Sequence, residues 1–152
     1  MDVSSLLQFF SEDMFLDDLK SHERDEVLQE LVKPLVDSGK IRHANRLIDV
    51  LRQREILGST AIVKHVAIPH CRTLNSSDTH IVVGLSEEGV DFNAGDGKSV
   101  KLFFLIVAPP QEKENMYLPI LGHLCEILRN SKKHKALLKV KTYESLIEIL
   151  KG

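Results

Sequence analysis

SVKLFFLIVAP, Ser99 to Pro109, is the stretch that decides the fold. The apolar run it opens, Leu102 to Pro110, falls far short of the ~20 residues that span a bilayer. Short, continuous and rich in Val, Ile and Phe, it reads as a buried strand. Just upstream, THIVVGLS, Thr79 to Ser86, has the same β-branched character. Between them lies the turn-rich segment EEGVDFNAGDGK, Glu87 to Lys98, in which Asp96-Gly97 is a strong hairpin signal. A strand–turn–strand pair from Thr79 to Ala108 is therefore expected. Further upstream, TAIV (Thr60 to Val63) and VAIP (Val66 to Pro69) read as two short extended pieces.

Away from this centre the hydrophobic period lengthens. Val27, Leu28, Leu31, Val32 and Leu35 follow helical spacing, with Ser21 as N-cap and Glu23 and Asp25 in the first turn. Pro34 predicts a kink or an early end, and Gly39 a C-cap. A second helix is expected from Arg42 to Ile56, closed by Gly58-Ser59. VSSLLQFF near the N-terminus reads as a short helix and DMFLDDL as a short extended piece. After the strand pair, Leu118, Leu121, Leu124, Cys125 and Leu128 fall on one helical face, with Pro119 tolerated only in the first turn. TYESLIEIL predicts a last helix, whose Thr142–Ser145 capping box lacks the usual Glu or Gln. Helices, then strands, then helices predict a single-domain α/β sandwich over residues 1–152, a small mixed sheet flanked by helices.

The totals narrow the function. At 152 residues, 43% hydrophobic and 28% charged, the chain has the make-up of an ordinary globular protein. Its formal net charge of -2 argues against an electrostatic grip on nucleic acid. The basic cluster Lys132-Lys133-His134-Lys135 is expected to coat a helix end, where cations oppose the dipole. Cys71 and Cys125 form no metal pattern and no disulfide framework, which fits a reducing compartment. The N-terminus does not read as a secretory leader, and a cytosolic location with no direct membrane insertion is expected.

Seven histidines are candidates for chemistry: His22, His43, His65, His70, His80, His123 and His134. Their spacings suit no zinc site. GDGKS is too short for a nucleotide-binding loop and lies between strands. No nucleophile elbow is present. Cys71 adjoins His70, but neighbours on an extended chain point to opposite faces, so they do not form a nucleophile pair. His70 stands out by its setting in HVAIPHCRT, His65 to Thr73. Pro69 fixes the backbone before it, and Val66, Ala67 and Ile68 anchor the approach. A single imidazole held rigidly at a strand end suits a positioned nucleophile. The alternative is an ordinary surface or satisfied core histidine.

The run LRQREILGSTAIVKHVAIPHCRT, Leu51 to Thr73, resembles the signature of enzyme IIA domains of the bacterial phosphoenolpyruvate-dependent phosphotransferase system. The likeness is to the fructose/mannitol class, with its nitrogen-regulatory relatives. Arg54-Glu55, Gly58-Ser59-Thr60 and Ala67-Ile68-Pro69-His70 match the family pattern. EGVDFNAGDGKSVKLFFLIVAPP is similar to the family's Gly-Val-x-(Phe/Trp) and Asp-Gly-x-x-Val stretch followed by its central strand, and with the helical first third the resemblance covers nearly the whole chain. It implies that His70 accepts a phosphoryl group from a histidine-containing phosphocarrier protein. The group then passes to an enzyme IIB in sugar-transport members, or sets the state of a regulated partner protein in regulatory ones. No metal or organic cofactor is implied.

The chemistry is consistent with this. A neutral imidazole, with a reference pKa near ~6.5, is a competent nucleophile at cytosolic pH. Phosphoryl transfer asks a protein mainly for positioning and charge stabilisation. Arg54, by the resemblance, offers a fork of donors to the phosphoryl oxygens; otherwise it is a helix-end cation. Three positions depart from the family pattern. Ala61 to His65 replaces a glycine-rich loop, and Cys71 stands where the family has a glycine or other small residue. Tyr117 takes the place of a second, supporting histidine. A tyrosine can donate a hydrogen bond but carries no positive charge, and His65 is a further candidate for the supporting role. A different class of function also remains open: an interaction module that keeps the fold without turning over phosphate.

Overall fold

The computed structural model describes residues 1–152. At its centre, β4 (His80–Val90) and β5 (Val100–Ala108) pair antiparallel, as the strand–turn–strand reading expects. The connecting turn is made at Gly97, whose φ of 73° suits a residue with no Cβ. β4 runs four residues past the expected Ser86, its register with β5 shifting between Leu85 and Val90. β1 (Phe15–Leu16) lies parallel to β4, on one edge. On the other edge β2 (Val66–Ala67) and β3 (His70–Arg72) follow one another along β5, both parallel to it. The five-stranded sheet is mixed, as expected.

Alternation along the strands gives the sheet two buried faces. Val66, Ile68, Phe104 and Ile106 face one cluster, covered by α1 (Val3–Leu7), α4 (Tyr117–Arg129), α5 (Ser131–Leu137) and α6 (Tyr143–Lys151). Ala67, Cys71, Phe103 and Leu105 face the other, covered by α2 (Arg24–Asp37) and α3 (Ala44–Leu57). A helix–sheet–helix sandwich follows directly from strands that are apolar on both sides.

Several local expectations need correction. Ser21 does not cap α2. The helix starts at Arg24, with Asp25 and Glu26 in its first turn, and the Glu30 carboxylate accepts the backbone N–H groups of Lys20 and Ser21. Pro34 does not stop α2, which continues to Asp37; so near the helix end few backbone bonds remain to be lost. Gly39 is left-handed at φ 73°, as a helix-ending glycine should be. Thr60 to Val63 is no strand: only Val63 makes an isolated bridge, to Val66. Leu118 is 64% exposed; α4 buries Leu124 and Leu128 as expected, with Tyr117, Ile120 and Ile127 beside them, while Leu121 and Cys125 pack at the edge of the core. The basic cluster lies on the short helix α5, capped by Asn130, and places His134 and Lys135 in its last turn, as expected of cations at a helix end. The capping box at Thr142–Ser145 forms in both directions despite the missing Glu.

Candidate functional site

The site grows from the break between β2 and β3. Ile68 donates its N–H to the Thr60 carbonyl (3.0 Å), and Ile106 of β5 donates to the Pro69 carbonyl (2.9 Å). The segment is thus pinned from both sides just before His70. The His70 ring folds back so that Nδ1 lies 2.7 Å from the Ile68 carbonyl oxygen. A carbonyl only accepts, so Nδ1 carries the proton and donates it. In the neutral ring the lone pair is then left on Nε2, the atom free to act as nucleophile. His70 is half-buried at the C-terminal end of β5, opposite Ile106.

Tyr117, at the first turn of α4, meets this ring: the two centroids are 6.1 Å apart and the planes tilted by 52°. Its station is set by Glu112, whose Oε1 accepts the Tyr117 N–H at 2.7 Å and so caps the helix. The other oxygen of Glu112 accepts from the Thr79 hydroxyl at 2.8 Å. Burial pushes the Tyr117 phenol up to about 12, with Cys71 adding to the rise and the Arg72 and Arg54 charges opposing it. The hydroxyl is a neutral donor at any physiological pH.

Arg72 completes the cluster. On β3 it shares a face with His70, two residues away, while Cys71 turns to the opposite core. Its guanidinium carbon stands 4.5 Å from the centre of the Tyr117 ring, within cation–π range. Nη1 donates to the Pro109 carbonyl at 3.2 Å and lies 3.9 Å from Glu112. Cys71 is buried, which pushes its thiol up to about 12 and leaves it unreactive.

Arg54 sits in the last turn of α3, half-buried, and its Nη1 donates to the Gly58 carbonyl at 2.7 Å. One of five N–H donors is used there, and the rest of the fork is free. Beside it Glu55, only 4% exposed, accepts both the N–H (2.8 Å) and the hydroxyl (2.7 Å) of Thr60. Burial raises the Glu55 carboxyl, against these two bonds and the weaker pull of Arg54 and His70. Glu55 thereby holds Thr60, Thr60 holds Ile68, and Ile68 fixes the proton of His70.

His65 is not brought to this site. Its Nδ1 donates to the Ser99 carbonyl at 2.7 Å, at the opposite end of β5 from Ile106. Val66, the neighbour of His65, pairs with Leu102, and His70 pairs with Ile106, so four residues of β5, about 13 Å, separate the two pairings and His65 lies beyond the far one. Its φ of 66° places it in the left-handed region, where glycine is at home, in the loop where the family pattern has glycines. Sequence reasoning missed Arg72 and Glu112. The period of two in His70-x-Arg72 was the available signal for the first; Glu112 lies in a loop and had none.

The same architecture is found in the nitrogen regulatory protein IIA-Ntr of Neisseria meningitidis. The fold superposes with a TM-score of 0.84 over 94% of this chain and 97% of that one, at 24% identity. Residues 8–152 match the family described as phosphoenolpyruvate-dependent sugar phosphotransferase system, EIIA 2, and the chain belongs to that family. It is 30% identical over 132 residues, 87% of its length, to the PTS system fructose-specific EIIABC component of Bacillus subtilis, of which it spans 21%. It is 29% identical over 133 residues, again 87% of its length, to a nitrogen regulatory protein of Bradyrhizobium diazoefficiens, of which it spans 85%. No helix is long and apolar enough to cross a membrane.

Proposed function

We propose that this domain accepts a phosphoryl group on Nε2 of His70 from a histidine-containing phosphocarrier protein. It then passes the group to an enzyme IIB or holds it as a regulatory signal, working in the cytosol. The observation that carries this reading is the 2.7 Å bond from Nδ1 to the Ile68 carbonyl, in a chain of the EIIA family. It leaves one ring nitrogen directed to chemistry. The Nε2 lone pair attacks phosphorus, the nitrogen–phosphorus bond of the donor breaks, and its electron pair returns to the donor imidazole. Developing positive charge on the His70 ring is shared through Nδ1–H with the Ile68 carbonyl, so no proton has to move. Arg54 stabilises the transferring oxygens with its free donors, and Tyr117 supplies a neutral hydroxyl. The adjoining apolar residues, Ile68 and Ile106, limit hydrolysis of the phosphorylated ring.

Incubation with phosphoenolpyruvate, enzyme I and the phosphocarrier, followed by intact mass spectrometry, tests it. One added, acid-labile phosphoryl group is expected. An unmodified chain under conditions that phosphorylate a known enzyme IIA would make the protein an interaction module instead.

A further inference from the structure

A neutral tyrosine beside the imidazole brings no charge of its own to a phosphoryl group, and the fold places a second cation next to that tyrosine. We propose that Arg72 is a phosphoryl-binding residue of this site, supplying from the strand that carries His70 the positive charge that Tyr117 does not. The inference rests on His70 being the acceptor.

Three observations carry it. First, His70 and Arg72 leave the same face of β3, with Cα atoms about 7 Å apart. Second, both side chains meet one ring: Tyr117 lies 6.1 Å from the imidazole and 4.5 Å from the guanidinium carbon. Tyr117 thus acts as a shared wall, orienting the guanidinium rather than donating charge. Third, the guanidinium is not saturated. Its only hydrogen bond goes from Nη1 to the Pro109 carbonyl, and Glu112 at 3.9 Å is too far for a second. The Glu112 oxygens are engaged instead by the Tyr117 N–H and the Thr79 hydroxyl. Arg72 therefore keeps free N–H donors on a side chain 31% exposed, tethered but able to turn toward a dianion. The buried Glu112 charge keeps the cation at this depth when the site is empty. When a phosphoryl group sits on Nε2, the dianion is the stronger partner.

The test compares wild type, Arg72→Gln and Arg72→Lys with two donors. One is the phosphorylated phosphocarrier. The other is phosphoramidate, whose nitrogen–phosphorus bond breaks to release ammonia as the bond to Nε2 forms, and which needs no docking surface. Arg72→Gln is expected to slow transfer from both donors by about ten- to a hundredfold. The ³¹P titration midpoint of its phosphohistidine should rise by about one pH unit, because a nearby cation favours the dianion. Arg72→Lys keeps the charge and should hold the midpoint close to wild type; it carries the test alone if Arg72→Gln unfolds, a shifted midpoint then overturning the proposal. Unchanged rates in Arg72→Gln overturn it, as does slowing of both variants with no shift in the midpoint, the mark of a merely structural residue. Slowing with the phosphocarrier alone assigns Arg72 to docking and also overturns it. Failure of wild type to take a phosphoryl group from either donor, or its appearance away from His70, removes the underlying reading itself.

Discussion

His65 and His70 lie five residues apart on one edge of the sheet, and each donates Nδ1–H to a backbone carbonyl at 2.7 Å. By that measure they are the same residue. What differs is what each bond holds. The His65 ring reaches across to Ser99, while its own carbonyl accepts the N–H groups of Lys101 and Leu102 (2.8 and 3.1 Å). It closes the start of β5. The His70 ring bonds within its own turn, to Ile68, and packs 6.1 Å from the Tyr117 ring. On the proposed reading, a hydrogen bond to one imidazole nitrogen marks a nucleophile only where the ring also lies among groups able to stabilise charge.

The largest expected effect breaks the pair apart. His70→Ala should abolish phosphorylation with the fold intact, and His65→Ala should leave one phosphoryl group added, both read by intact mass. Persistent acid-labile phosphate on His70→Ala would move the acceptor elsewhere. Next comes Arg54→Lys, which keeps the charge but loses the fork. Transfer should slow by roughly ten- to a thousandfold, ~1.4–4 kcal/mol of barrier, in stopped quench-flow assays. An unchanged rate would leave Arg54 as a tie to the Gly58 carbonyl and nothing more.

The support beneath His70 can be weighed separately. Glu55→Ala leaves the buried N–H and hydroxyl of Thr60 without partners, and should cost about 3 kcal/mol in urea unfolding. The pH dependence has a definite sign. Burial raises the Glu55 carboxyl above its ordinary 4.5, so the folded state holds this proton more tightly than the unfolded chain. The stability it contributes is full below pH 4.5 and declines as pH rises through the higher folded value. The stability of wild type minus that of Glu55→Gln should therefore fall as pH rises above 4.5. A rise would show that the Thr60 bonds outweigh burial.

Much of this was legible in the chain. The apolar run in β5, the helical stripe of α2 and the hairpin glycine each encode their structure locally, and Pro69-His70 announced a rigid imidazole. The matched motif Arg54-Glu55 with Gly58-Ser59-Thr60 held the carboxylate and its partner, but not the chain of bonds from Glu55 to His70. That chain exists only after α3 packs against β3. Glu112 was invisible because its partners, Thr79 and Tyr117, belong to different elements. The placement of His65 was left open by the sequence because five residues of turning chain give no direction, whereas parallel pairing of the segments that follow it with β5 sets it apart from His70. α5 was hidden because SKKHKAL has too few apolar residues to show a period.

A smaller effect separates aromatic wall from hydroxyl donor at the active end. Tyr117→Phe keeps the face that meets Arg72 and removes the hydroxyl proposed to donate to the phosphoryl group, a neutral bond worth ~1 kcal/mol, so transfer should change by less than about tenfold. Tyr117→His returns a group able to carry charge and should speed phosphorylation or lengthen the life of the phosphorylated form. A slower Tyr117→His, or near-complete loss in Tyr117→Phe, would show that the hydroxyl has a required function of its own.

The smallest expected effect lies at the other histidine. His65→Asn preserves a residue type that tolerates the left-handed backbone, so the turn at φ 66° remains accessible. The His65 carbonyl goes on accepting from Lys101 and Leu102, since backbone bonds do not depend on the side chain. Only the ring bond to the Ser99 carbonyl is lost, a cost of about 1 kcal/mol in urea unfolding. Phosphoryl transfer should be the same as wild type within about twofold, because the site lies more than about 13 Å along the sheet and shares no partner with Ser99. A large loss of transfer without a matching loss of stability would mean that the start of β5 is coupled to His70. The two histidines would then have to be treated as one unit, and the division drawn between a structural end and a chemical end of this strand would fail.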